Sequence, residues 1–224
     1  MKAPKVIYFD VNETMLDMSS VKSTIADKLN GDESLVPIWF STLLHHSLVD
    51  CASGQFHPFS DIGAAALVMV GQNHGVEVDL ENAKASIGNA MSSAPPHPEV
   101  SQALGQLKST DIRLVALSNS SLTGLNKQLN NAGIIDYFDN VLSVESIRTY
   151  KPYPAVYHWA LKEMGITAEQ GMMVAAHGWD VNGAKAVGMQ TTFVERSGKC
   201  TYPLGLPVDN RVADLRVLAD QLIN

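Results

Sequence analysis

The chain has 224 residues, of which 46% are hydrophobic and 17% charged, and its formal net charge at pH 7 is −7. This is an ordinary globular composition for one substantial core plus a smaller module. The negative charge argues against a general nucleic-acid or membrane-surface binder, and no apolar run approaches the ~20 residues that a membrane helix needs.

The start of the chain and its cysteines favour a cytoplasmic location. The first predicted strand begins almost at Met1, so we expect no secretory leader. The two cysteines, Cys51 and Cys200, lack the spacing of a metal site. We expect both to be reduced thiols.

A short apolar run near the start of the chain predicts a fully buried strand over residues 6–9. It ends at Asp10, and the polar residues Asn12, Glu13 and Thr14 follow. Ligands of a parallel α/β sheet bind at the carboxyl ends of its strands, so a carboxylate at this point is a candidate nucleophile. The alternative is that Asp10 only terminates the strand.

Residues 18–92 carry four helical patterns and no strand pattern. We expect Ser19 or Ser20 to cap the first helix, the second to cover 35–49, Ser60 or Asp61 to open the third, and Asp79 to cap the fourth. The proline-rich segment 92–98 marks the return to the rest of the chain. We therefore predict a helical cap domain over 18–92, inserted after the first strand.

From residue 99 onward, helical and strand patterns alternate. Helices are predicted at 99–109, 122–132, 156–164, 183–187 and 211–222. Strands are predicted at 112–117, 141–143, 172–176 and 191–194, and we expect the strand at 191–194 to be the last one. This alternation predicts an α/β fold with a doubly wound, Rossmann-like parallel sheet and right-handed crossovers. The predicted core domain comprises 1–17 and 93–224, and the cap would lie over the strand ends.

Four polar residues, Asp10, Ser118, Lys151 and Asp180, each follow a predicted strand. Their side chains should therefore project from the same edge of the sheet. Ser118 and Asn119 also precede a helix, where free backbone N–H groups favour an anion. Taken singly, each residue is more often a cap or a surface group, but the set predicts a site.

The residues around these positions are similar to the four motifs of the haloacid dehalogenase superfamily, and the similarity covers the whole chain. The matching segments read F-D-V-N-E-T, L-S-N-S, Y-K-P and H-G-W-D. The resemblance implies a haloacid dehalogenase-like core with an inserted cap, a nucleophile at Asp10 and assembly as a homodimer.

Two residues argue against the phosphatases of this superfamily, which use a second acid after the nucleophile and bind magnesium with acids of the fourth motif. Asn12 stands at the first of these positions and cannot shuttle a proton. Ala176 stands where one metal-binding acid is expected, and the loss of an oxygen ligand weakens a magnesium site. We expect no metal and no cofactor. The alternatives are a magnesium-dependent phosphatase of a small phosphate ester and a non-catalytic binding protein.

The dehalogenase branch fits better. The segment Y-K-P-Y-P-A-V-Y resembles the L-2-haloacid dehalogenases around their catalytic lysine, and Tyr157 matches a tyrosine of that pattern. Asn119 matches a residue that those enzymes place beside the departing halide, and Trp179 matches an aromatic residue of their halide site. Trp39 and Phe40 are interpreted either as core of the cap or as a wall of the substrate site.

The chain also departs from that branch. Asn12-Glu13 replaces a Tyr-Gly pair, Ala175 and His177 stand where a Ser and an Asn are familiar, and 18–92 contains no Arg to receive halide. The cap histidines are interpreted as surface or packing residues, unless one of them partly replaces that arginine: His45, His46, His57 and His74.

Glu13 and His177 lie on two loops that border the same nucleophile, so we expect the pair to meet. A glutamate that orients an imidazole makes it a competent general base for water. The alternative is a structural salt bridge between the two loops.

Together these features predict metal-independent hydrolysis of short 2-haloalkanoic acids to 2-hydroxy acids. Asp10 would displace halide from the alpha carbon with inversion and form an ester, which water would then hydrolyse. Lys151 would keep Asp10 ionised, while Thr14 and Asp180 would orient the loop and Lys151.

The predicted carboxylate site consists of the Ser118 hydroxyl and the backbone N–H groups of Val11 and Asn12. The expected partners are a small 2-halocarboxylic acid and water, with neither nucleic acid nor membrane.

Overall fold

The computed structural model describes residues 3–223, and within that range the chain is built around one six-stranded parallel sheet. The strands are β1 (Val6–Phe9), β2 (Arg113–Ser118), β3 (Asn140–Ser143), β4 (Gly171–Ala175), β5 (Gln190–Val194) and β6 (Asn210–Val212). Their order is β3-β2-β1-β4-β5-β6. The predicted doubly wound, Rossmann-like sheet is confirmed.

Strand β1 lies at the centre of the sheet, paired on one side with β2 and on the other with β4. All four of its residues are completely buried, as its unbroken apolar run predicts. The chain order reverses between β1 and β4, and in open α/β sheets ligands bind at such a reversal, outside the carboxyl ends of the strands. We therefore expect a ligand site at the loops that follow β1 and β4.

The helices account for most of the remaining chain. They are α1 (Ser19–Lys28), α2 (Val36–Ser53), α3 (Phe59–Asn73), α4 (Leu80–Ser92), α5 (Val100–Lys108), α6 (Leu122–Asn131), α7 (Pro154–Met164), α8 (Gly178–Ala186) and α9 (Leu215–Ile223). Short 3-10 turns over Glu33–Leu35, Ile135–Tyr137, Val144–Ile147 and Ala168–Gln170 complete the connections.

Helices α1 to α4 form a helical segment, 19–92, in which α3 packs against both α2 and α4, and α1 packs against α4. The chain returns beside its own exit, since the Asp17 N–H donates to the Pro95 carbonyl at 2.8 Å and the His97 N–H to the Met15 carbonyl at 2.9 Å. The division into a core domain and a cap domain, 18–92, stays a prediction.

Of three helix starts predicted in this segment, one is confirmed and two differ from the structure. The Asp79 cap is confirmed, because its side chain accepts a hydrogen bond from the Asn82 N–H at 2.8 Å. Ser19 and Ser20 instead lie inside α1, whose first N–H is held by the Asp17 carboxylate at 2.9 Å. Helix α3 opens directly after Pro58 rather than at residue 60 or 61.

The last third of the chain holds the larger corrections. Helix α8 begins at Gly178 rather than at 183, so His177 directly precedes it. The predicted strand at 191–194 is confirmed as β5, but it is not the last strand, because residues 210–212 form the edge strand β6. Strand β6 has only three residues and its central Arg211 is exposed, so the sequence shows no apolar run there to predict it. Helix α9 begins at Leu215 rather than at 211.

No helix in the described part of the chain is long and apolar enough to cross a membrane. Both cysteines are free thiols, with Cys51 partly buried and Cys200 exposed, as predicted.

Candidate active site

The four strand-end residues that the sequence singled out come together at one edge of the sheet. Asp10 directly follows β1, Ser118 ends β2, and Lys151 follows β3 after a short turn. Asp180 lies in the first turn of α8, which follows β4. This convergence follows from the parallel order of the strands, and it gives the site a rigid base.

Asp10 is 5% exposed, and its carboxylate is held by three donors. The Lys151 ammonium donates to Oδ1 at 2.8 Å, and the Thr14 hydroxyl donates to Oδ2 at 2.7 Å. The His177 Nδ1 lies 2.9 Å from the same Oδ2. An ionised carboxylate oxygen accepts about two hydrogen bonds, so Oδ2 is saturated and Oδ1 keeps one free position.

The Lys151 ammonium is held in place by buried hydrogen-bond acceptors. It donates to the Asp180 Oδ2 at 2.6 Å and to the Leu117 carbonyl at 3.0 Å, besides Asp10. The Tyr157 hydroxyl in turn donates to Asp180 Oδ1 at 2.7 Å. Because a lysine has three N–H donors, all of them are used, and the ammonium cannot turn away from Asp10.

Glu13 and His177 meet, as expected from their two loops. The His177 Nε2 lies 3.0 Å from the Glu13 Oε2, while the other ring nitrogen faces Asp10. Glu13 has a backbone φ of 61°, in the left-handed region that residues with side chains seldom adopt. Such conformations cluster at functional sites, where the surrounding structure holds them in place.

The electrostatic environment keeps Asp10 ionised and charges His177. Burial alone would raise the pKa of Asp10, but the charge of Lys151 and the hydrogen bonds from His177 and Lys151 hold it well below its usual range. Burial would lower the pKa of His177, yet its bonds to Asp10 and Glu13 raise it to about 8. At neutral pH the imidazole is therefore protonated and donates to both carboxylates.

The raised pKa of His177 predicts a pH dependence of stability. An unfolded histidine titrates at ~6.5, so the stabilising contribution is complete below that pH and is lost as the pH rises through about 8. The expected loss is about 2 kcal/mol of unfolding free energy, from about 1.4 kcal/mol per pKa unit. Urea denaturation at pH 6 and pH 9 measures it, with His177→Gln as the neutral control. Equal pH slopes for the two proteins would contradict this origin.

A large cavity of about 800 Å³ opens between the sheet edge and the helical segment, and Asp10 lies on its wall. The site residues predicted from the sequence that line it are Asp10, Asn12, Glu13, Trp39, Phe40, Ser118, Asn119, Lys151, His177 and Trp179. Most of the predicted set therefore shares one concave surface, as ligand sites usually do.

Aromatic rings enclose the His177 imidazole within this cavity. The Trp179 ring stacks on it with centroids 5.0 Å apart, and the Phe40 ring stacks at 5.8 Å. Trp39 is both core and wall, since it lines the cavity while its indole N–H donates to the Gly63 carbonyl at 2.8 Å. The two interpretations of Trp39 therefore do not exclude each other.

The polar residues beside Asp10 are also fixed. The Ser118 hydroxyl accepts a hydrogen bond from the Ser120 N–H at 3.1 Å, and the Asn119 side-chain Oδ1 accepts one from the Lys151 backbone N–H at 3.0 Å. The Asn12 amide donates to the Ser120 hydroxyl at 3.3 Å and accepts from Gln128 at 3.1 Å.

Four predicted site residues lie behind the cavity wall rather than on it. Val11, Thr14, Tyr157 and Asp180 are fully buried and are not part of the lining. Thr14 links Asp10 to the end of β4, because its hydroxyl accepts a hydrogen bond from the Ala176 N–H at 2.9 Å. Tyr157 holds Asp180, which corrects its prediction as a substrate contact.

The described cavity lining contains none of the four histidines of the helical segment, His45, His46, His57 and His74. It contains instead three lysines that the sequence analysis passed over, Lys22 of α1, Lys127 of α6 and Lys199 of the loop after β5. The sequence signal for Lys199 was its place after a strand at the same sheet edge. Across residues 3–223, no group of three or more His, Cys, Asp or Glu side chains is placed to hold a metal ion.

Comparisons with known proteins agree with this geometry. The profile of haloacid dehalogenase-like hydrolases matches residues 4–188. The chain is 30% identical to haloacetate dehalogenase H-2 of Moraxella sp. (strain B), over 93% of each protein. It is 26% identical to an (S)-2-haloacid dehalogenase of Pseudomonas sp. (strain YL), over 96% of this chain and 93% of that protein. The solved L-2-haloacid dehalogenase of Xanthobacter autotrophicus matches with a TM-score of 0.90 at 25% identity, over 99% of both chains.

Proposed function

Because the chain belongs to the haloacid dehalogenase-like hydrolase family, we propose that it hydrolyses short 2-haloalkanoic acids to 2-hydroxy acids through an ester of Asp10. The observation that carries the proposal is the buried, ionised Asp10 on the cavity wall, held by Lys151, Thr14 and His177. The names of the relatives, which are haloacetate and 2-haloacid dehalogenases, support the same reaction class.

In the first half of the reaction, Asp10 attacks the alpha carbon of the substrate. Oδ1 is the attacking oxygen, because Oδ2 is already occupied by Thr14 and His177. The carbon–oxygen bond forms as the carbon–halogen bond breaks, so halide leaves with the bonding electrons and the carbon inverts. Lys151 supports this step by keeping the carboxylate ionised and oriented, which is how an aspartate becomes an effective nucleophile.

In the second half, water attacks the ester carbonyl carbon of Asp10. Esterification removes the negative charge of Asp10, which is one of the two interactions that raise the pKa of His177. The imidazolium then releases its Nδ1 proton to the solvent, while its Nε2–H stays on Glu13. The free Nδ1 takes a proton from the attacking water and passes it to the product oxygen as the ester C–O bond breaks. Hydrolysis returns the Asp10 carboxylate and releases the 2-hydroxy acid.

The remaining predicted residues receive roles of support or binding. Ser118 and the backbone N–H groups of Val11 and Asn12 bind the substrate carboxylate, and Asn119 and Trp179 face the departing halide. Asp180 fixes Lys151, and Tyr157 fixes Asp180.

The domain division, assembly and location belong to the same proposal. Residues 18–92 act as a cap domain that closes the cavity over the core of 1–17 and 93–224, with Trp39 and Phe40 on its inner side. The chain works as a homodimer, by resemblance to the dehalogenase branch, and in the cytoplasm, as the two free cysteines favour.

The proposed chemistry requires no metal, since Asn12 and Ala176 replace two acids of the phosphatase pattern. Halide release from 2-chloro- and 2-bromopropionate should therefore be unchanged after exhaustive chelation, and p-nitrophenyl phosphate should be a poor substrate. A halide-release screen with and without chelator tests both statements. Magnesium-dependent phosphate release at ~1 s⁻¹ or faster, without halide release, would favour a phosphatase instead.

A further inference from the structure

Lys199, on the loop after β5, lines the cavity but has no role in the proposed steps. The Lys199 ammonium contacts the Glu13 Oε2 and lies 5.5 Å from the centre of the Phe40 ring. Its side chain is 19% exposed, against 51% for Lys22, the other lysine on the Glu13 carboxylate. Lys199 is thus a largely enclosed cation on the wall that also carries Asp10.

The loop that carries Lys199 is held in place independently of Glu13. The Arg196 guanidinium donates to the Thr14 carbonyl at 2.8 and 3.1 Å, and the Lys199 N–H donates to the Arg196 carbonyl at 3.0 Å. The loop also packs against the backbone of Gly178, where an added Cβ would meet the Cys200 carbonyl and would lie 2.8 Å from the Thr201 Cα. The glycine therefore allows the loop to approach the His177 segment closely.

The other enclosed cations of the cavity have no donors left for a ligand. Lys151 uses its three N–H groups on Asp10, Leu117 and Asp180, and both ring nitrogens of His177 face carboxylates. Among residues 3–223, the Lys199 ammonium has Glu13 as its one hydrogen-bond acceptor. An ammonium carries three donors, so two remain for an anion in the cavity.

On the basis of the proposed function, we propose that Lys199 binds an anion of the reaction, either the leaving halide or the substrate carboxylate. Glu13 orients the ammonium, and the Phe40 ring face stabilises it from the side of the helical segment. The anion-binding cation thus comes from the sheet side of the cavity, five residues beyond β5.

Binding of chloride and of propionate, two anions that do not react, tests the assignment without turnover. Both are titrated by the fluorescence of Trp39 and Trp179, which line the cavity, at constant ionic strength. Lys199→Met and Lys199→Gln should bind one of the two anions about 10- to 100-fold more weakly, as expected for a lost charge-assisted hydrogen bond. Lys199→Arg should stay close to the wild type. Weakened chloride binding identifies the halide position, and weakened propionate binding identifies the carboxylate position.

Lys22→Met is the matched control, because it also removes a cation from Glu13 but from a half-exposed position. It should leave both affinities near those of the wild type. If Lys199→Met and Lys199→Gln bind both anions normally, or if Lys22→Met weakens binding equally, Lys199 acts only through Glu13 and the proposal is overturned. A wild-type protein that binds neither anion would also overturn it. Absence of halide release would count against the proposed function and not against this site.

Discussion

Asp10→Asn should abolish halide release while the protein stays folded. The amide is a poor nucleophile, and loss of a nucleophile typically removes ~10⁴–10⁶-fold of the rate. Folding should persist because β1 is buried independently of the side chain, Lys151 keeps Asp180 and Leu117, and His177 keeps Glu13. Halide release and thermal unfolding are measured on the same preparation. Normal turnover in a folded Asp10→Asn protein would exclude the covalent mechanism.

His177→Ala should stop the reaction after its first half. Displacement at carbon requires the Asp10 carboxylate and a place for halide but no base, whereas hydrolysis of the ester requires one. General-base removal typically costs ~10²–10⁴-fold, which is enough to make hydrolysis limiting. The variant should release about one halide per active site and then accumulate the ester, as seen by mass spectrometry after a short incubation with a 2-bromo acid. His158→Ala, an exposed histidine on α7, is the control.

Glu13→Ala should slow the same half-reaction, and the double variant should be far from additive, because the two side chains act as one unit. The pH profile distinguishes two roles for His177. If it acts as a base, ester hydrolysis rises with pH, with a midpoint below about 8, because the charge of Asp10 no longer raises its pKa. A rate that falls with pH would assign His177 to stabilising negative charge on Oδ2. Normal turnover of His177→Ala would exclude both roles.

The centre of the site was predictable because its residues stand where simple strand patterns end. The four apolar residues of β1 fix the position of Asp10, and the parallel order of the strands brings Ser118, Lys151 and Asp180 to the same edge. The meeting of Glu13 and His177 follows for the same reason, since their loops follow the neighbouring strands β1 and β4. The family inferred from the four motifs is confirmed by the profile that matches residues 4–188.

The parts that escaped prediction lack a local signal. Helix α8 starts at Gly178, but in a sequence a glycine at this place predicts a loop. The reason for the glycine is the Cys200 carbonyl, which packs against it and leaves no room for a Cβ. Tyr157 was placed by similarity, but only the fold shows that it holds Asp180. Lys199 belongs to no motif. Its position depends on a loop that Arg196 holds through a hydrogen bond to the Thr14 carbonyl, 182 residues away in the sequence.

The most direct test of the Asp10 ester is a single turnover of the wild-type protein in H₂¹⁸O, with enzyme in excess over 2-bromopropionate. In the proposed mechanism the product hydroxyl comes from the Asp10 carboxylate, and water replaces the oxygen that was lost. The account therefore predicts that ¹⁸O appears in the peptide that contains Asp10, while the first 2-hydroxypropionate formed is unlabelled. Label in the product with an unlabelled Asp10 would show direct displacement by water and would contradict the account.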